Sequence, residues 1–165
     1  MEIEVKQGSI LGVEAEAITN AANSQGWMGG GVAGAIKRAA GQQVEREAIA
    51  QAPIPVGSAV RTSGGRTTFK GIIHAPTMER PAMRIPASNV GRATLAALKR
   101  ADEAGFTSLA LPGMGTGVGG VATEEAAQEM LQAIRGFQPR HLQKVILVDI
   151  DPEMVRAWRK EFEES

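Results

Sequence analysis

Two stretches of this chain carry residue types that could do chemistry. The first runs from Ile18 to Gly41 and reads Ile-Thr-Asn-Ala-Ala-Asn-Ser-Gln-Gly-Trp-Met-Gly-Gly-Gly-Val-Ala-Gly-Ala-Ile-Lys-Arg-Ala-Ala-Gly. Asn20 and Asn23 bring amides that can hold a tight turn or reach a ligand hydroxyl. Gly29, Gly30 and Gly31 follow, and consecutive glycines are costly in chain entropy unless backbone must come close to something. They run straight into strong helix formers, Ala33 to Ala40. A glycine loop entering a helix N-terminus presents free N–H groups and the positive end of the helix dipole, which suits an anion and most often a phosphate. By themselves such glycines also fit a plain flexible connection; the two asparagines tilt the reading towards a ligand. The second stretch is Pro112-Gly113-Met114-Gly115-Thr116-Gly117-Val118-Gly119-Gly120, again between a short apolar run and a helix.

Composition removes several other chemistries. The chain has 165 residues and no cysteine, so it has no disulfide, no thiolate nucleophile and no Cys-based metal site. His74 and His141 are its two histidines, too far apart in sequence to suggest a zinc site, and neither a metal nor a cofactor is expected. Lys plus Arg and Asp plus Glu both number 18, which gives no global argument for a nucleic-acid partner. A local patch through Lys37, Arg38 and Arg46 has little support from that balance. No apolar run approaches the ~20 residues of a membrane span. The first residues alternate charged and apolar side chains and are no signal peptide, so a soluble, cytoplasmic location is expected.

The glycine stretches need elements to hold them. Met1–Lys6 alternates as a half-buried strand does, and Ala15–Thr19 reads as an interior strand. A helix is predicted from about Val32 to Ala40, continuing over Gln42–Gln51 until Pro53 and Pro55 end it. Ser58–Thr62 and Thr67–His74 flank Gly64-Gly65 and predict a hairpin. Ala75 to Pro86 reads as irregular, because Pro76, Pro81 and Pro86 break it. Asn89 is expected to cap a helix running to Ala104, with Gly105 as its stop. Thr107–Leu111 is a strand, Thr123–Ile134 a helix capped by Thr123, and Lys144–Ile150 the last strand. Asp151-Pro152 opens a closing helix to about Phe162. Strands alternating with helices around a central hairpin predict an α/β fold, a three-layer α/β/α sandwich on a mixed, mostly parallel six-stranded sheet with helices on both faces. At this length one domain over residues 1–165 is expected. Ligands of such sheets bind where strands end and helices begin, which is where both glycine stretches fall. Neither is a P-loop, since no Gly-Lys-Ser/Thr follows, and Gly115–Gly120 matches Gly-x-Gly-x-x-Gly only in spacing and comes late for a dinucleotide fold.

In order and content these residues resemble the macro domain, the ADP-ribose-binding module. The resemblance rests on Asn20-Ala21-Ala22-Asn23, Gly29-Gly30-Gly31-Val32, Ala39-Ala40-Gly41, Pro112 to Gly120, and Gly8-Ser9-Ile10, where the family often has Gly-Asp-Ile. It covers nearly the whole chain. It implies that Asn23 contacts the distal ribose. It also implies that Gly30, Gly31 and Val32 line one side of a diphosphate, with Gly115, Thr116, Gly117, Val118 and Gly119 on the other. Ser9 and Ile10 would lie at the adenine, and Ile150 would fall where the family often stacks an aromatic ring on it. The implied function is binding of ADP-ribose, free, O-acetylated or protein-linked. The alternative is a slow ADP-ribosyl hydrolase or O-acetyl-ADP-ribose deacetylase, with water activated near Asn23 by the substrate's own diphosphate.

Three positions depart from the family pattern. Ser9 replaces an aspartate that usually accepts from the adenine amino group. Gly119 replaces an aromatic residue that often covers the distal ribose. Ala33 replaces an aspartate carried by many hydrolytic members. Trp27 either plugs the first loop or supplies the ring missing at Gly119. His74 reads as a hydrogen-bonded structural histidine, Asp149 and Asp151 as turn and capping residues, and Glu79 as a carboxylate on a segment able to fold over the site.

Overall fold

The computed structural model describes residues 1 to 164. Six strands form one sheet: β1 (Glu2–Gln7), β2 (Ala17–Asn23), β3 (Val60–Thr62), β4 (Gly71–Met78), β5 (Ser108–Leu111) and β6 (Lys144–Asp149). Their spatial order is β1-β6-β5-β2-β4-β3. Five run parallel, and β3 pairs antiparallel with β4 as the hairpin reading requires. Five helices cover it: α1 (Gly31–Ala40), α2 (Gln42–Ala50), α3 (Ala87–Glu103), α4 (Thr123–Gly136) and α5 (Pro152–Glu163).

The alternation of side chains along β2 builds both cores. Ala17 faces the cluster formed with α3, α4 and α5, which includes Leu98, Met130 and Trp158. Ile18 faces the other cluster, with Ile36 of α1 and Val44 of α2. Central strands buried on both faces read as near-continuous apolar runs, as the buried residues Val145 to Val148 of β6 do. The result is the expected α/β sandwich.

Element ends depart from the sequence reading, and each departure has a cause. Gly41, at φ 102°, ends α1 and begins α2 as a separate helix. β2 continues through Asn23, and β4 continues to Met78 despite Pro76. A proline lacks the ladder donor and is tolerated in a strand at a bulge. Here Ala22 pairs with Pro76 but Asn23 pairs with Met78, which leaves Thr77 as an extra residue in β4. Asn89 does not cap α3; the cap position is Pro86, and the Asn89 Nδ2 donates to the Thr77 carbonyl at 2.9 Å. The amide therefore satisfies the carbonyl of the extra residue in the bulge. Thr123 is the first residue of α4 and its hydroxyl makes no cap bond; the cap position is Ala122.

Candidate functional site

All five parallel strands deliver their carboxyl ends to one cleft of about 1280 Å³. Its walls come from the residues after β1, the ends of β2 and β4, the loop after β5 and the turn after β6. Twelve of the residues singled out for a ligand role line it, Ser9, Ile10, Asn23, Gly30, Gly31, Val32, Gly115, Thr116, Gly117, Val118, Gly119 and Ile150, whereas Asn20, the other amide offered for a ligand hydroxyl, does not.

The first glycine loop meets the cleft as a bare helix N-terminus. No side chain caps α1, so the N–H groups of its first turn have no partner within the helix. Gly31 sits at φ 60°, a left-handed backbone that glycine adopts without strain. The second loop is folded by its own backbone. The Val121 N–H donates to Gly115 O and the Gly120 N–H to Gly117 O, while the Ile85 N–H reaches Gly119 O at 3.0 Å. Among the described residues the N–H groups of Thr116, Gly117 and Val118 donate to no protein acceptor. A side chain at Gly119 would put its Cβ 2.6 Å from Gly115 O, so the tight loop itself excludes any larger residue there.

Asn23 is 8% exposed. Its Oδ1 accepts from the Gln25 N–H at 3.1 Å and its Nδ2 donates to Trp27 O at 2.9 Å. An amide has two donor hydrogens and two acceptor lone pairs on oxygen, so one of each is left for a ligand. Trp27 is 52% exposed and lines the cleft beside it. Ser9 caps the short 3-10 turn Ile10–Gly12, its Oγ accepting from the Leu11 N–H at 3.1 Å. Ile150, 74% exposed, and Val118, 66% exposed, are apolar surfaces turned to solvent at the cleft walls.

Of the lining residues, Arg38 is the one cation, against Asp149, Asp151 and Glu153. Two of these carboxylates are engaged. Asp149 accepts from the Gly113 N–H and the Asp151 N–H, both at 2.9 Å, tying β6 to the second loop. Asp151 caps α5 through the Glu153 N–H. Glu79 does not line the cleft; Pro81 and Ala82 of its segment do. His74 is likewise outside it. Asn20 lies in the sheet, its Nδ2 3.1 Å from His74 Nδ1, and Thr62 Oγ1 lies 2.9 Å from His74 Nε2. Glu153 escaped the sequence reading, and Arg38 entered it only as part of a basic patch with Lys37 and Arg46, not as a cleft residue. Arg38 does fall seven residues after Gly31, two turns along one helix face, which is a readable signal.

A family model described as Macro domain matches residues 19–130, a span that includes both glycine loops. This chain belongs to the macro domain family. A protein of Aquifex aeolicus is 59% identical over 97% of this chain and 97% of its own. The Oceanobacillus iheyensis macrodomain with ADP matches at 26% identity and TM-score 0.85, over 98% of this chain and 90% of its own. A mutant of that macrodomain with ADPR matches at 25% identity and TM-score 0.86, over 98% and 92%. Among the described residues of this macro domain, no helix is long and apolar enough to cross a membrane.

Proposed function

We propose that this macro domain, one domain over residues 1–165, binds ADP-ribose and its O-acetylated and protein-linked forms in this cleft. The observation that carries the reading is the pair of glycine loops, which turn unpartnered backbone N–H groups into one cavity. Neutral amides at a helix N-terminus hold a diphosphate without basic side chains, which fits walls with a single cation. Related structures hold ADP and ADPR on the same fold. In this reading Gly30, Gly31 and Val32 line one side of the diphosphate and Gly115 to Gly119 the other. Asn23 meets the distal ribose, and Ser9, Ile10 and Ile150 meet the adenine.

Calorimetric titration with ADP-ribose tests it on wild type, Gly31→Ala and Gly31→Glu. Both variants share the strain of a side chain at positive φ, about 1–2 kcal/mol. Only glutamate adds bulk and negative charge where phosphate approaches. Glutamate should abolish binding and alanine should weaken it. A Gly31→Glu protein that binds as wild type does would put the ligand elsewhere.

The alternative, slow hydrolysis, draws on the spare donor and acceptor of Asn23, which can hold a water beside the substrate's diphosphate. Ala33 leaves the first loop without a base, and general-base catalysis is worth about 10²–10⁴-fold. Single-turnover release of ADP-ribose from mono-ADP-ribosylated protein should therefore be slow. Ala33→Asp should speed it and Asn23→Ala should slow it. Fast release that survives Asn23→Ala would exclude this route.

A further inference from the structure

We infer that Glu45 is a positioning residue for Asn23 and acts through the Trp27–Met28 peptide. The carbonyl of that peptide accepts from Asn23 Nδ2 at 2.9 Å. Its N–H donates to Glu45 Oε2 at 2.7 Å. The two bonds sit at opposite ends of one planar unit, so fixing the N–H direction fixes where the carbonyl points. That carbonyl then fixes the side chain of Asn23, whose Oδ1 is held at the same time by the Gln25 N–H.

The carboxylate is well placed to do this. It reaches the first loop from α2, and its other oxygen lies 3.5 Å from Lys37 Nζ on α1, so one side chain ties two helices to the loop. A backbone N–H given to a carboxylate makes a short, charge-assisted bond. It also polarises the peptide and strengthens the carbonyl as an acceptor for Asn23. Met28 is fully buried, which pins the same residue from its side-chain end. Trp27 belongs to the same peptide unit, so the placement of its ring in the cleft is set by the same two bonds.

This inference rests on the proposal that Asn23 meets the ligand, and the test separates the two. Trp27 is half-exposed while Trp158, the other tryptophan, is fully buried. Acrylamide quenching of tryptophan fluorescence in the free protein therefore reports the first loop. Glu45→Ala should increase quenching and weaken ADP-ribose about tenfold, as loss of one hydrogen bond to a charged group implies. Glu45→Gln keeps an oxygen for the Met28 N–H and should recover most of both. If Glu45→Ala does not fold, Glu45→Asp, one methylene too short to reach, should show the same loosening and the same loss. Wild-type quenching and affinity in the shortened variants would overturn the inference, as would a glutamine variant no better than alanine. If wild type itself fails to bind ADP-ribose, the binding proposal falls. The quenching comparison, made without ligand, still decides whether Glu45 holds the loop.

Discussion

Ser9 brings one hydroxyl to the cleft where the macro-domain resemblance implies a carboxylate. One of its lone pairs is already taken by the Leu11 N–H, so under the proposed binding mode it would offer an adenine amino group a single neutral acceptor. A hydrogen bond to a charged group contributes about 1.5–3 kcal/mol against ~1 for a neutral pair. Ser9→Asp can keep the Leu11 bond on one oxygen and offer the other to the base. Calorimetry should show ADP-ribose binding a few-fold more tightly, roughly 1 kcal/mol. Unchanged affinity would mean that another group reads the base, with Glu153, which also lines the cleft, the first to examine. The glycine loops that line the cleft were legible because backbone donors announce themselves as glycines beside a helix start. Their supports were not. Glu45 lies seventeen residues from the N–H it accepts, and no spacing rule links a helix carboxylate to a loop peptide at that distance.

Asn89 shows the same limit among elements. Type and order of strands and helices were readable, because Gly41, Gly105 and Pro152 mark their ends and periodicity marks their faces. The segment from Ala75 to Met78 was not, because Pro76 looks like a breaker until its partner strand is known. Paired with β2, the missing N–H falls where the register shifts, and the strand continues. Thr77, the extra residue, lines the cleft, and its carbonyl depends on the Asn89 amide. Asn89→Ala leaves that carbonyl unpaired, at a cost of about 1–3 kcal/mol. Urea unfolding should show that loss, and ADP-ribose affinity should fall with it, because the bulge sets where Asn23 emerges from β2. A variant as stable as wild type would mean that water replaces the amide and the bulge stands without it.

At the scale of the whole molecule, one buried polar chain joins β2 and β4, whose ends reach the cleft, to β3 at the sheet edge. His74 on β4 bridges Asn20 on β2 and Thr62 on β3. Burial lowers its pKa from 6.5 to about 4, and nearby Glu47 opposes the change without cancelling it. The neutral ring fits the chain, since one ring nitrogen must accept while the other donates. The folded state therefore binds the proton more weakly than the unfolded state does. Between pH 6.5 and about 4 the unfolded chain holds more protons, so stability rises with pH there and is lost as pH falls. The loss is about 2 kcal/mol at pH 5 relative to pH 7, because a tenfold difference in proton affinity between the two states is worth about 1.4 kcal/mol. Glu16 is held at about 2 by Lys70 and by the Thr107 N–H and hydroxyl, so its contribution is still almost intact at pH 5. Urea unfolding at pH 7 and pH 5 should show the decrease in wild type. His74→Gln should be less stable at pH 7, where the chain is disturbed, and nearly flat between the two pH values, because the titrating group is gone. Equal acid losses in wild type and variant would mean that carboxylates govern the pH dependence and that the buried histidine does not.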